Sequence, residues 1–431
     1  MRLRTHLSAP ETYLNTVLDW VDRQTKEVPP RLDREAPNRL HSRMGMAFVG
    51  CGFVADFYAS TLALHPELQL TGVTDLNEAR ANKFSSLHRV KHYPSLNVLL
   101  NDSAVQVIIN LTNPESHFEV SKASLDAGKH VYSEKPLAMD IHQAEELVQM
   151  AEARGLILSC APCSILGDSA KALSAAIANQ EIGQVRLVYA ELDDGPIHQM
   201  HPEEWASPLG TPWPWQNEFK IGCTIEHACY HLSWLVALFG PAESVTAFSS
   251  RVVPEKHPDL SPEDVGPDFS VACIVFQSGV TARLTCSIVA PTDHSFRIFG
   301  DKGVLQIDEC WHYRTPVRIH RFTSLRFRAE TYPWLRRNWF WRTLYGLNGK
   351  IWRGSPRSDW RGRLRRHEMD YLRGVAELVE ALREQRPCRL SAQFALHVTE
   401  IALAIQSARE ISSSVKIKST LPQETRSPFK S

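Results

Sequence analysis

Two short segments hold the residue types that could do chemistry. Gly50-Cys51-Gly52-Phe53-Val54-Ala55 follows the apolar run Met46–Val49, and Ser133-Glu134-Lys135-Pro136 closes a later one. The spacing Gly50-x-Gly52-x-x-Ala55 is that of a loop cradling a dinucleotide pyrophosphate. Gly50 permits the tight turn, Gly52 lets the backbone approach a phosphate, and Ala55 is small enough for strand and helix to pack closely. A helix opening here offers the phosphates the free N–H groups of Phe53 and Val54 and the positive end of its dipole. Asp75 ends the next apolar run, 23 residues after Gly52, where a carboxylate can accept hydrogen bonds from the adenosine ribose hydroxyls. A carboxylate there repels a 2′-phosphate, so NAD is favoured over NADP, with Arg80 softening the preference. Lys135 ends a later strand of the same sheet, where the nicotinamide end of such a cofactor should lie. Together the two segments point to a nicotinamide-dependent oxidoreductase and leave its substrate open.

The elements that must position these residues alternate. Strands are expected at Met46–Val49, Gln69–Thr74, Val105–Leu111, His130–Ser133 and Leu156–Ser159, with helices at Phe53–Leu64, Asn77–Leu87, Pro114–Ala127 and Ile141–Ala153. This alternation implies an α/β, Rossmann-type, doubly wound parallel sheet with right-handed crossovers. After Cys160 the character changes. A helix around Ala170–Ala178 is followed by strand-like runs at Val185–Leu192, Ser244–Val253, Phe269–Gln277, Val280–Val289, Ser295–Phe299 and Val304–Ile307. Consecutive strands predict a large, mostly antiparallel open sheet in an α+β domain, covered by helices at Glu368–Glu384 and Ala392–Ile411. The expected organisation is an N-terminal extension over 1–43 with a short amphipathic helix (Leu14, Val17, Leu18, Val21), a dinucleotide-binding domain over 44–160, a substrate and oligomerisation domain over 161–420, and a polar, frayed tail over 421–431.

With 431 residues, the chain is long enough for two cores. Lys+Arg and Asp+Glu both number 48, so net charge indicates no particular partner. No apolar run reaches the roughly 18 residues of a membrane span, and Met1 to Ser8 lack the apolar core of a signal peptide. Nine cysteines, an odd number spread along a long chain, suit reduced thiols and a cytoplasmic setting. An open sheet needs covering, which predicts a homo-oligomer.

The chain resembles the glucose–fructose oxidoreductase, inositol dehydrogenase and MocA family. Gly50-Cys51-Gly52, Asp75, Thr112-Asn113-Pro114 with His117, and Ala127-Gly128-Lys129-His130-Val131-Tyr132-Ser133-Glu134-Lys135-Pro136-Leu137-Ala138 carry the resemblance. Ile182-Gly183, Phe239-Gly240-Pro241 and Phe299-Gly300-Asp301-Lys302-Gly303 continue it more weakly. The resemblance implies that Thr112, Asn113, Pro114, His117, Glu134 and Lys135 join Gly50, Gly52, Phe53, Val54 and Asp75 around the cofactor. It also implies that Lys135 lies beside the nicotinamide and a substrate alcohol. The chemistry agrees. Hydride can leave a carbinol carbon only as the hydroxyl proton is lost, and an ammonium can orient that hydroxyl and stabilise its growing negative charge.

Members of the family commonly carry an Asp followed four residues later by a His. Here Gly222-Cys223-Thr224-Ile225-Glu226-His227-Ala228-Cys229-Tyr230-His231 puts Glu226 at the Asp position and Tyr230 at the His position. Tyr230 would then relay the proton, with its pKa lowered by Lys135, while Glu226 orders Lys135 or a sugar hydroxyl. A shift of one residue in the helix would instead make His231 the base and His227 its partner. A third reading is a site that binds cofactor without turning over. His227, His231 and Cys223 have metal-ligand spacing, but no metal is expected, because the family chemistry uses none. Cys160-Ala161-Pro162-Cys163 lacks a second pair at zinc spacing, so a structural role at the domain crossover is expected.

Asp193-Asp194-Gly195, His198, His201, Trp205, Trp213 and Trp215 would suit a polyhydroxylated ligand. Residues 314–366 hold fourteen Arg and one Lys against Glu330 and Asp359, interleaved with ten aromatics. Such an insert either covers the sheet or a subunit contact, or attracts an anionic partner: a nucleotide-sugar phosphate, a lipid head group in a peripheral membrane contact through 326–366, or an acidic protein. Nucleic acid is least favoured, because no recognition module accompanies the charge. The main expectation is an NAD(P)-dependent dehydrogenase acting on a secondary alcohol of a sugar, inositol or sugar derivative, free or linked to phosphate or nucleotide. An NAD-dependent glycosidase working by transient oxidation and a non-catalytic cofactor-binding scaffold or sensor are the alternatives.

Overall fold

A computed structural model describes residues 43–323, 331–344, 347–356, 369–409, 415–422 and 429. The helix expected near Leu14–Val21 lies outside the described residues, as does part of the basic insert.

The first part of the chain alternates as β1 (Met44–Val49), α1 (Phe53–Ser60), β2 (Leu68–Thr74), α2 (Glu78–His88), β3 (Lys91–His92), α3 (Leu96–Leu100), β4 (Val107–Asn110), α4 (His117–Asp126), β5 (His130–Ser133), α5 (Ile141–Ala153) and β6 (Leu158–Cys160). The six strands form one parallel sheet in the order β3-β2-β1-β4-β5-β6. Met46, Ala47 and Phe48 of β1 and Val107, Ile108 and Ile109 of β4 are fully buried. The central strands are apolar on both faces because helices cover both. Side chains start the helices: Asn77 accepts from Arg80 N and Asp140 from His142 N and Gln143 N.

After α6 (Asp168–Ala178) come β7 (Val185–Asp193), α7 (Trp215–Ile221), a π-helical turn (Thr224–Ala228), α8 (Cys229–Phe239), β8 (Ala242–Ser250), β9 (Phe269–Phe276), β10 (Thr281–Ser287), β11 (Phe296–Gly300), β12 (Gly303–Ile307) and β13 (Arg318–Arg321). Two short helices, α9 (Pro333–Arg337) and α10 (Trp339–Leu344), precede β14 (Lys350–Ile351), α11 (Arg373–Glu384), α12 (Ala392–Gln406) and β15 (Val415–Lys416). The second sheet has nine strands in the order β14-β13-β12-β11-β7-β10-β9-β8-β15. All its pairings are antiparallel except β7 with β10, where Thr281 faces Leu187 and Ser287 faces Asp193. Parallel neighbours need a long crossover, and the stretch holding α7 and α8 supplies part of it, bringing the family-like Glu226–Tyr230 segment to one face of the sheet. On the other face Phe248, Cys273 and Val275 stay exposed.

Three expectations need correction. Helix α11 begins at Arg373 rather than Glu368, because the preceding residues bend back to the first sheet: Asp370 accepts from His65 at 2.9 Å, and Tyr371 packs on Phe57 and Tyr58. The polar tail does not start at Leu421, which is buried in the main core. Helix α12 stops at Gln406 and is followed by a single 3₁₀ turn, Ser407–Arg409. α12 packs on α5 of the first sheet and on β8 of the second, and its Thr399 hydroxyl accepts from Leu137 N at 3.1 Å. It thereby braces the loop that carries Lys135.

Candidate active site

The loop between β1 and α1 is shaped by two glycines with different surroundings. Gly50 has φ +96°, and a Cβ there would sit 2.6 Å from the Leu111 carbonyl oxygen. Only glycine fits such a turn. A Cβ on Gly52 would meet nothing within 4 Å, so open space lies where a phosphate should approach. Gly52 caps α1 without a side-chain hydrogen bond, leaving the first N–H groups available to an anion. These residues fit a dinucleotide.

Asp75 lies at the end of β2 with its side chain almost wholly buried. It accepts from Cys51 N at 2.7 Å, from Asn77 N at 2.7 Å, and from Arg80 Nε and Nη2 at 2.9 and 2.8 Å. Burial works to raise its pKa, but Arg80 and the two N–H groups hold it below the ordinary carboxylate value. Asp75 is therefore ionised and already paired with Arg80.

Across the sheet, the Thr112 hydroxyl donates to Asn110 Oδ1 at 2.7 Å, Asn113 is exposed, and Pro114 is buried. His117 is fully buried between the Pro136 carbonyl (Nδ1, 2.7 Å) and the Thr112 carbonyl (Nε2, 3.0 Å). The resemblance implied a place for His117 at the cofactor; instead it braces the two loops that carry Thr112 and Lys135. Glu134 accepts from the Tyr58 hydroxyl at 2.7 Å and from Lys135 N at 3.1 Å.

Lys135 Nζ donates to Glu226 Oε2 at 2.8 Å, with side-chain exposures of 13% and 5%. Burial pushes the ammonium pKa down, but the Glu226 carboxylate above all outweighs it and holds it well above the ordinary value. Lys135 thus stays protonated. The Tyr230 ring packs against Trp311 at a tilt, with centroids 4.8 Å apart. Its pKa rises rather than falls, because burial outweighs the help from Lys135. The expectation of a tyrosine made acidic by Lys135 is corrected on this ground.

The π-helical turn adds a residue to the turn and brings consecutive side chains to different partners. Glu226 meets Lys135, while His227 Nδ1 lies 2.6 Å from Asp194 Oδ2. Asp194 Oδ1 accepts from His294 Nε2 at 2.9 Å, and His294 Nδ1 reaches Glu309 Oε2 at 2.8 Å. Trp311 stacks on His294 at 4.4 Å, and its N–H of the main chain donates to Glu309. A chain His227–Asp194–His294–Glu309 results. Burial opposes charge on both histidines, yet the carboxylates prevail: His227 is raised above its ordinary value and His294 is raised to about 10. Glu218 on α7 lies 3.9 Å from His227 Nε2. Burial, and then the negative charge of Glu226, push its pKa up to about 8, so it is protonated at neutral pH.

His231 lies one residue beyond Tyr230 and faces inward. It is fully buried beside Phe296, its ring nitrogens make no well-formed hydrogen bond, and burial lowers its pKa to about 4. The alternative with His231 as base does not fit this placement. Cys223 does not join the histidines either; its thiol reaches the Cys286 carbonyl at 3.5 Å. Among the described residues the group with metal-ligand proximity is the exposed His201, Glu203 and Glu204. Cys160 and Cys163 find separate partners, the Glu134 carbonyl and the Tyr313 hydroxyl.

Sequence reasoning flagged Asp194 only as part of an acidic pair and His227 only as a partner. It missed Glu218, His294, Glu309 and Trp311, which carry no motif and converge only through the second sheet. Trp205 and Trp213 pack together at a tilt, with centroids 4.9 Å apart, and Trp215 packs on His257 at 4.1 Å. Their loop latches back to the first sheet's helices through Ser207 to Asp56 and Lys83 Nζ to the Leu209 carbonyl at 2.9 Å.

Comparison with known proteins bears on the family and the fold. Residues 44–161 match the model of an oxidoreductase family with an NAD-binding Rossmann fold, and residues 170–306 match the GFO/IDH/MocA C-terminal domain. A trans-1,2-dihydrobenzene-1,2-diol dehydrogenase from Bos taurus is 27% identical over 270 residues, which cover 61% of this chain and 74% of that protein. The fold is similar to that of the WlbA dehydrogenase from Bordetella pertussis, solved with NADH and UDP-GlcNAcA: TM-score 0.65, 16% identity, 88% of this chain and 99% of that one. It is likewise similar to a 3-ketoreductase from Actinomadura kijaniata, solved with NADP and TDP-benzene: TM-score 0.65, 18% identity, 85% and 98% coverage.

Proposed function

Because this chain belongs to the GFO/IDH/MocA oxidoreductase family, and is thus a dehydrogenase acting on CH–OH groups, we propose that it oxidises one secondary hydroxyl of a vicinal diol, polyol or sugar derivative. The observation that carries this reading is the buried Lys135–Glu226 ion pair, on the loop after β5 of the sheet whose β1 leads into the glycine loop, with Tyr230, His227 and Glu218 around it. Gly50, Gly52, Phe53, Val54, Asp75, Thr112 and Asn113 would hold the dinucleotide, which supplies the hydride acceptor.

The residues then divide the work. Lys135, kept charged by Glu226, orients the reacting oxygen and stabilises its negative charge. Tyr230 keeps its proton and donates a hydrogen bond. His227, held by Asp194, is the titratable group that takes the hydroxyl proton. Neutral Glu218 and charged Glu226 offer a donor and an acceptor to a second hydroxyl. The diol in the name of the bovine relative and the UDP-GlcNAcA with which the WlbA dehydrogenase was solved support this substrate class.

For the cofactor, the paired Asp75 supports NAD, while Arg80, its side chain 43% exposed, would meet a 2′-phosphate. The test is a titration with NADH and NADPH followed by a screen of diols, polyols and nucleotide sugars. Steady reduction of cofactor by one of them is expected; cofactor binding with no reduction by any secondary alcohol would overturn the reading.

A further inference from the structure

The chain leaves the edge of the nine-stranded sheet after β13 and returns at β14, where Arg318 pairs with Ile351 and Ile319 with Lys350. The described part of this excursion is the α9–α10 hairpin. It has a small core of its own, in which Leu335 and Leu347 are buried against Trp341. Trp334 meets Trp341 edge-on at 5.7 Å. The rest of its apolar side chains face solvent: Trp339 is 74% exposed, Leu344 63%, Phe340 58% and Trp334 56%, with Tyr332 and Ile351 also open. A patch of this kind marks an interaction surface.

The charge is equally one-sided. Residues 331–353 contain Arg336, Arg337, Arg342, Lys350 and Arg353 and no Asp or Glu. Arginines nearer the sheet are neutralised by carboxylates, Arg314 by Asp168, Arg318 by Asp308 and Arg321 by Glu181. The hairpin has no carboxylate of its own.

We propose that the α9–α10 hairpin docks the protein peripherally on an anionic lipid bilayer. Indole and phenyl rings favour the interfacial zone, and guanidinium groups favour the anionic head groups at the same depth. No described helix is long and apolar enough to cross a membrane, so the hairpin lies on the surface. A second copy would bring like charge against like charge. A nucleic acid would satisfy the arginines and stack on the rings but would leave Leu344 and Ile351 in water, whereas acyl chains cover them. The surface is independent of the dehydrogenase reading.

Flotation of the full-length protein with phosphatidylcholine vesicles, with and without phosphatidylserine, tests the proposal. Binding is expected to the mixed vesicles and to weaken with added salt. Arg337→Gln and Arg342→Gln should each lower partitioning about fivefold, and the double change Trp339→Ser with Phe340→Ser at least about tenfold. Brominated lipid should quench tryptophan emission in the wild type and less in that variant. These side chains are exposed, so unchanged thermal melting shows that each variant is folded. Three results would overturn the proposal: no binding to mixed vesicles at low salt, binding that the aromatic variant leaves intact, or self-association or nucleic-acid retention lost in the variants without any vesicle binding by the wild type.

Discussion

Lys135 Nζ and Glu226 Oε2 stand 2.8 Å apart although 91 residues separate them in sequence. One side chain leaves the turn after β5 and the other a π-helical turn against the second sheet. Each has left water and depends on the other for its charge. The pair keeps Lys135 an ammonium, which suits holding a developing alkoxide and rules the lysine out as the proton acceptor near neutral pH.

Replacing Lys135 with Met should lower kcat/KM about a hundredfold to ten-thousandfold while leaving cofactor affinity within a few-fold. Stability should also fall, by about 3–5 kcal/mol, because Glu226 is left buried and unpaired. Adding Glu226→Gln should restore most of the stability and none of the activity. Chemical denaturation beside steady-state kinetics on the single and double variants checks both halves; full activity in the double variant would refute the role given to Lys135.

The two loop glycines should fail in different ways. Gly50→Ala places a Cβ 2.6 Å from the Leu111 carbonyl oxygen at a φ of +96°, so the protein itself should lose stability. Gly52→Asp meets no protein atom within 4 Å of its Cβ, so the melting temperature should hardly move while cofactor binding is lost to charge and bulk. Nicotinamide fluorescence titrations and thermal melts separate the two. Asp75→Ala should weaken NADH binding and leave Arg80 free to favour NADPH.

His227 predicts the acid limb of the pH profile. As a base it works when neutral, and Asp194 raises its pKa above the ordinary value, so oxidation should rise with pH through a midpoint above about 6.5. Asp194→Asn should move that limb to lower pH. His227→Gln should remove it and slow turnover about a hundredfold. Glu218, pushed up to about 8, should add an alkaline change that Glu218→Gln abolishes, since glutamine mimics the neutral form. Profiles of kcat/KM for the three variants decide; a His227→Gln enzyme with the wild-type limb would show that another group accepts the proton.

His294 makes a prediction about stability. Its folded pKa of about 10 exceeds the unfolded value of about 6.5. Its contribution is therefore fully present below pH 6.5 and is lost as pH rises toward 10, on the order of a few kcal/mol. Melting temperature should fall across that window, and His294→Gln should flatten the fall. Glu309 and Asp194 have lowered pKa values, so their contribution should be lost instead as the solution becomes acidic.

Local patterns in the chain were enough for the first sheet and for the glycine turn that follows β1. The reason is physical: a tight turn needs Gly50, a phosphate approach needs Gly52, and buried parallel strands need unbroken apolar runs such as Val107–Ile109. Each requirement is met by residues adjacent in sequence, so each leaves a readable pattern. Tertiary structure alone decided how the polar groups around Lys135 are partnered. The extra residue of the π-helical turn sends Glu226, His227 and Tyr230 to separate partners and leaves His231 in the core. The parallel pairing of β7 with β10 is a non-local contact. The Asp194–His294–Glu309 chain joins residues 100 and 15 positions apart. Charge stabilisation there depends on distance and burial, which no spacing along the chain encodes.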